Sequence, residues 1–229
     1  MTLNTKFEAV HIIDTFESLI WTDRYDEAGD FELYQAMDLE LLKYIKQDYY
    51  FRNDESEHGM IIEQIRVASD TENGNKLIVT GRSFESLLDR RIIWGQKIYK
   101  GNLQDAVHSM LDESIIAPKI TDRKIPNFIF KASDDPAIIS LTIDAQYTGD
   151  NLYDTVSNLC KKNRIGFKIT LNEENQFVFQ LYSGKDRSYN QTQNPYVIFS
   201  PAYENIVNSN YLESKKGLKN VTLVAGEGE

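Results

Sequence analysis

Gly81-Arg82-Ser83-Phe84-Glu85-Ser86-Leu87-Leu88-Asp89-Arg90-Arg91-Ile92-Ile93 is a change of direction written into thirteen residues. Leu77 and Val79 alternate onto one face of 76–80, so the chain arrives as a strand. Ser83 is a good helix N-cap, Phe84, Leu87 and Leu88 fall on one side of a short helix over 83–90, and Ile92-Ile93 begins another strand. Arg82, Arg90 and Arg91 stand at the junctions. The segment is either a packing corner whose arginines bridge to an acidic surface or an arginine cluster for an anionic ligand. Glu85 and Asp89 lie within the same segment and can neutralise it, which favours the corner.

Upstream, 60–67 forms a hairpin with 76–80, and Asn73-Gly74 between them is a strong turn signal. Ile61, Glu63, Ile65 and Val67 share one face of its first strand. Aromatic and β-branched runs at 7–13, 16–22 and 31–35 add strands, separated by polar turns such as Asp26-Glu27-Ala28-Gly29-Asp30. Downstream the period changes. Leu103, Val107, Met110, Leu111 and Ser114 follow Asn102 at helical spacing, with Pro118 beyond the end. A second helix follows Gly149-Asp150-Asn151. It has Leu152, Val156, Leu159 and Cys160 as its apolar stripe, Lys161, Lys162 and Arg164 at its negative end, and Gly166 as its stop. Strands then return at 165–171 and 176–182 around Asn172-Glu173-Glu174-Asn175, and again at 196–199 and 221–225. The fold class is α+β, mainly β.

The 229 residues suffice for one large or two small domains. Eleven Phe and thirteen Tyr can fill a sizeable core. Acidic residues outnumber basic ones 35 to 25, a formal charge of -10, so the chain repels phosphate backbones and anionic membrane surfaces. One cysteine, Cys160, excludes an internal disulfide framework and a cysteine-cluster zinc site. No signal-peptide pattern opens the chain, and its apolar runs fall far short of the roughly 20 residues of a membrane helix. These features predict a soluble product kept in the cytoplasm of the cell that makes it.

Motifs for chemistry do not assemble. His11, His58 and His108 have no His, Cys or carboxylate at metal-ligand spacing, and solvated or locally bonded side chains account for them. There is no G-x-S-x-G elbow, and Ser183-Gly184-Lys185 lacks the earlier glycine of a phosphate loop, since Phe179 occupies that position. Thirty-five carboxylates give no specificity to an acid pair, and 144–154 lacks the calcium-loop pattern. The sequons at Asn190 and Asn220 carry no weight without a signal peptide. No catalytic, cofactor or metal residues are predicted, and no enzyme activity.

Six motifs, in order, resemble the tail hub proteins of siphophages and prophages of Gram-positive hosts, the N-terminal region of tail-associated lysins. Gly81-Arg82-Ser83-Phe84 with Leu87-Leu88-Asp89 and Arg91 is similar to that family's "Gly-Arg-Ser-Leu then Leu-Leu-x-x-Arg" corner. Gly29-Asp30-Phe31-Glu32-Leu33 precedes it. Gly149-Asp150-Asn151-Leu152-Tyr153-Asp154, Ile165-Gly166-Phe167 and Tyr182-Ser183-Gly184-Lys185-Asp186-Arg187-Ser188 follow. The last match runs from Val197-Ile198-Phe199-Ser200 through Lys219-Asn220-Val221 to Gly226-Glu227-Gly228-Glu229.

The resemblance implies a baseplate hub, as in tailed phages and contractile injection systems. Such a hub is a homotrimer at the tip of the tail tube, between the distal tail ring and a spike, fibre or wall hydrolase. It is assembled in the bacterial cytoplasm and passes DNA and tape measure protein without specific nucleic-acid binding. It further implies a first tube-like β-barrel over 1–100, completed by part of 195–229. An α+β insertion would occupy 101–194, and a second tube-like domain would begin within 195–229 and stop short. Hydrolase activity would belong to sequence beyond this chain. Two other readings stand beside it: a wall hydrolase using an Asp/Glu pair, and a carbohydrate- or receptor-binding module using exposed tyrosines and tryptophans.

Overall fold

The computed structural model describes residues 1–70, 74–206 and 208–221. The chain divides into two units, Met1–Gly184 and Lys185–Glu229.

The first unit begins with seven strands: β1 (Thr2–Leu3), β2 (Ala9–His11), β3 (Ser18–Thr22), β4 (Asp30–Ala36), β5 (Tyr50–Arg52), β6 (Gly59–Asp70) and β7 (Gly74–Ser83). They form one antiparallel sheet in the order β2-β1-β5-β6-β7-β4-β3, curled into a half-barrel. Phe31, Leu33, Phe51, Met60, Ile62, Leu77 and Val79 fill its hollow, closed off by Leu41 and Ile45. Strand alternation explains the β7 members, as the sequence predicts. The long β6–β7 hairpin forms where expected, with Asp70 opposite Gly74; residues 71–73, including Asn73 of the predicted turn, lie outside the described residues.

The face assignment on β6 needs correction. A bulge between Ile62 and Gln64 takes Glu63 out of register, and one extra residue inverts the alternation beyond it. Ile62 and Ile65 therefore both face the hollow, Ile61 enters the opposite core, and Val67 is exposed.

The corner leads into the rest of the unit: β8 (Gln96–Asn102), α1 (Leu103–Leu111), β9 (Phe128–Lys131), α2 (Pro136–Ile139), β10 (Thr142–Thr148), α3 (Leu152–Asn163), β11 (Gly166–Leu171) and β12 (Phe177–Tyr182). β8 pairs with β10, and β11-β12-β9 forms a three-stranded sheet with β9 parallel to β12. The apolar faces of α1, α3 and both sheets meet in a second core with Phe84, Phe167 and Phe179 at 0% exposure. Asn102 and Asn151 cap α1 and α3, each accepting the backbone N–H three residues on, at 3.1 Å.

Three expectations at helix ends change. The helix after Asn102 is α-helical only to Leu111; Asp112–Ile116 widens into a π turn closed by Ala117 N–H donating to the Asp112 carbonyl. α3 stops at Arg164, which takes the left-handed conformation at φ 55°, rather than at Gly166. The segment Phe84–Arg90 is a 3-10 helix, and Ser83 is not its side-chain cap.

In the second unit the strand expected at 196–199 is absent. No neighbouring strand takes up its backbone groups; the Val197 N–H donates to the Arg187 carbonyl and the Ile198 carbonyl accepts from Asn205 Nδ2, which are loop bonds and not a ladder. Among the described residues of this unit there is one short helical turn, Pro201–Tyr203. The strand expected over 221–225 falls outside the described residues except Val221, which is in no strand.

Candidate functional site

The corner at 81–93 is where the sequence motifs converge. Phe31 pairs with Gly81 across β4 and β7, so the Gly29-Asp30-Phe31 motif lies against the corner. Ser83 and Gly29 bond twice: the Ser83 N–H donates to the Gly29 carbonyl at 2.9 Å, and the Gly29 N–H to Ser83 Oγ at 2.7 Å. That second bond is why Ser83 does not cap the helix. Gly81 is dictated by close approach, since a Cβ there would sit 1.8 Å from the Ile61 carbonyl oxygen.

The arginines are mostly structural. Arg82 grips the bulged Glu63 through Nε at 3.0 Å and Nη2 at 2.9 Å, and reaches Asp89 Oδ2 through Nη1 at 3.0 Å. Those two carboxylates raise its pKa further above the ordinary range despite partial burial. Asp89 in turn accepts from Asn151 Nδ2 at 3.0 Å, so the residue that caps α3 also ties that helix to the corner. Three backbone bonds close the joint: Ile93 N–H to Asp150, Gly149 N–H to Ile93, and Leu152 N–H to Arg91. Arg90 pairs with Asp48 at 2.8 Å, and Arg91 donates to the Arg123 and Arg90 carbonyls.

Glu85 does not neutralise these arginines, contrary to the sequence reading. It is 1% exposed, accepts the Ile169 N–H at 2.7 Å, and lies 3.2 Å from Nδ1 of the buried His58. Burial lowers the His58 pKa, but the Glu85 hydrogen bond and charge, with Asp23 and Glu57 beyond, outweigh it and leave the pKa raised. The other oxygen of Glu85, Oε2, has no partner among the described residues. The residues are 27 apart and on different elements, so no spacing rule could have paired them. The pair pins β11 to the half-barrel beside a bridge between His58 and Thr170. His11 and His108 stack on Tyr44 and Phe130, with ring centroids 4.8 and 4.5 Å apart.

The polar loop before β4 is a clamp. The Tyr25 carbonyl accepts the Phe167 N–H at 3.1 Å, its hydroxyl accepts the Gly184 N–H at 2.7 Å, and its ring meets Tyr182 edge-on. Ala28 N–H donates to the Tyr153 hydroxyl at 2.9 Å, Ser157 Oγ donates to the Asp26 carbonyl at 2.8 Å, and Lys161 pairs with Glu27. The motifs at 149–154, 165–167 and 182–184 therefore all reach the corner or its flanking loop. The sequence shows 26–30 only as a polar turn, because its partners Tyr153, Ser157 and Lys161 are more than 100 residues away. Among the described residues, no three His, Cys, Asp or Glu side chains group as metal ligands, and no helix is long and apolar enough to cross a membrane. The corner ties the helix-bearing part to the half-barrel through these bonds.

A curled antiparallel sheet with a helix-bearing part fixed to it is also found among solved structures. The prophage tail protein gp18 from Listeria monocytogenes EGD-e is similar over 78% of this chain and 49% of its own, with a TM-score of 0.53 at 10% identity. Weaker likenesses are to Escherichia coli c3393, a component of the type VI secretion system, and to a tail protein from Neisseria meningitidis MC58. Their TM-scores are 0.44 and 0.43, at 15% and 14% identity, over 72% and 70% of this chain and 45% and 44% of theirs. The chain thus spans about half the length of these solved structures. The chain belongs to the Siphovirus ReqiPepy6 Gp37-like protein family, whose model matches residues 2–229. No curated protein matches it.

Proposed function

We propose that the chain is a hub subunit of the virion tail tip that forms a homotrimer, caps or adapts the tail tube, and lets DNA and tape measure protein pass. The observation that carries this reading is the pair of open sheet edges. Among the described residues, β2 and β3 each have a strand on one side only. Ile20 on β3 is 57% exposed, and Ile12 just beyond β2 is 68% exposed. Free edges flanked by apolar side chains invite pairing with another chain, and a head-to-tail β2–β3 contact between copies closes a ring when the rotation fits.

In this reading residues 1–100 are the tube wall and 101–194 are the insertion. A second tube-like domain begins within 195–229. The distal tail ring and a spike or fibre are the neighbours, and assembly takes place in the host cytoplasm. No catalytic role is assigned. A trimer carries about three times the -10 of one chain, and an acidic lumen lets DNA slide without sticking.

Multi-angle light scattering of the full-length protein at high concentration tests this, with three chains per particle expected and a central channel in electron micrographs. A strict monomer under those conditions overturns it. Clearance of host cell walls by this chain would instead support the hydrolase reading.

A further inference from the structure

Gly184 is the last residue of the first unit and Lys185 the first of the second. The chain leaves β12 through three anchors in a row. Tyr182 Oη donates to the Tyr25 carbonyl at 3.4 Å, Ser183 Oγ bonds Asp135 Oδ2, and the Gly184 N–H donates to Tyr25 Oη at 2.7 Å. Tyr25 Oη in turn donates to the Arg164 carbonyl at 3.2 Å, so one hydroxyl joins the residue that closes α3 to the residue that ends the unit.

The loop that carries Tyr25, between β3 and β4, is held along most of its length. The Thr22–Asp30 pair closes its base, and a Cβ on Gly29 would meet the Thr22 carbonyl oxygen at 2.2 Å. Arg24 Nη1 reaches the Ala28 carbonyl at 2.9 Å and Asp30 Oδ1 at 2.7 Å, while Asp26, Glu27 and Ala28 are each bonded to α3. A hydroxyl on such a frame is pre-organised, so its bonds cost little ordering entropy. Past Gly184 the bonding turns local. Asp186 Oδ1 accepts the Ser188 N–H at 2.8 Å, the Asp186 carbonyl accepts from Asn194 Nδ2 at 3.0 Å, and the Arg187 carbonyl accepts the Val197 N–H at 3.0 Å. Residues 186–197 are thus a loop closed on itself. Between it and the anchored Gly184 stands Lys185, exposed and, among the described residues, in no hydrogen bond.

We infer that Tyr25 is the latch of a hinge at the boundary between the units. While its hydroxyl holds Gly184, the second unit turns about Lys185 alone. When the hydroxyl lets go, Gly184 comes free and the pivot retreats to Ser183. The opening is local, because β12 keeps its ladder with β11 up to the Tyr182–Gly166 pair. The latch needs neither a partner nor an oligomeric state, so it stands or falls apart from the trimer.

Hydrogen exchange and limited trypsin digestion of the full chain test this, on the wild type and on Tyr25→Phe, which keeps the ring. In the wild type the Gly184 amide should exchange at least about threefold more slowly, relative to its intrinsic rate, than the unbonded Lys185 amide. In Tyr25→Phe that difference should vanish, and trypsin should cut after Lys185 at least about threefold faster. Cutting after Lys215, Lys216 and Lys219 should stay unchanged, since these exposed lysines of the second unit report general loosening. A Gly184 amide without protection in the wild type overturns the inference, even if the variant fails to fold. So does an unchanged rate at Lys185 in the folded variant, or equal acceleration at Lys215.

Discussion

Glu85→Ala probes the joint between the two cores. The substitution removes the acceptor of the Ile169 N–H and the counter-charge of His58, both at a site where Glu85 is 1% exposed. Breaking a buried ion pair from one side costs about 3–5 kcal/mol. Relief of the unpartnered Oε2 returns about 1 kcal/mol, so a net loss of about 2–4 kcal/mol is expected. Glu85→Gln keeps an oxygen for Ile169 and loses only the charge, and about 1–2 kcal/mol is expected near pH 6. The pH dependence has a definite sign. Because the folded-state pKa of His58 is raised, its contribution is complete below the unfolded value near 6.5 and fades as pH rises through the folded value. The gap between wild type and Glu85→Gln must therefore be wider at pH 6 than at pH 9. Urea denaturation of the three proteins at both pH values measures it. A gap that widens with pH, or a Glu85→Ala loss below about 1 kcal/mol, refutes the assignment of Glu85–His58 as a buried charged pair.

Gly81→Ala puts a Cβ 1.8 Å from the Ile61 carbonyl, a backbone atom already committed to the sheet; a loss of about 3 kcal/mol or more, or no soluble protein, is expected by thermal melting. Asn151→Ala deletes the α3 cap and the bond to Asp89, and about 1–2 kcal/mol should disappear; Asn102→Ala, which loses the α1 cap and the Nδ2 bond to the Ile139 carbonyl, should cost about as much, both read by thermal melting. Cys160 is 1% exposed and its thiol is pushed up to about 12, first by burial and then by Asp26. A thiol reagent at pH 8 should label it only at the rate of unfolding, as followed by mass spectrometry with and without urea.

The corner illustrates how far local chemistry reaches. Gly81, Ser83 and the apolar Phe84, Leu87 and Leu88 announce a turn and a short helix, because steric need, backbone bonding and side-chain period all act within a few residues. The caps Asn102 and Asn151 and the hairpins β6–β7 and β11–β12 are legible for the same reason. Their order along the chain sufficed for the resemblance to tail proteins that the family match bears out.

Partners, by contrast, belong to the tertiary structure. That Ser83 binds Gly29 instead of capping, that Glu85 meets His58 instead of an arginine, and that Tyr25 clamps β11 and β12 depend on residues brought together across 27 to 159 positions. The Glu63 bulge inverts the faces of β6 because one additional residue in the ladder is a packing decision, made where Arg82 offers it two hydrogen bonds. The strand expected at 196–199 fails because pairing needs a neighbour that its own residues cannot supply. By itself the sequence determined the corner, the two capped helices and the two hairpins, through forces acting over one or two turns of chain, while β5, β9 and β10 carry no such local signal. Only the tertiary structure decided which charges are satisfied, as at Arg82 and Glu85, and where the sheet stays open, since those depend on long-range proximity.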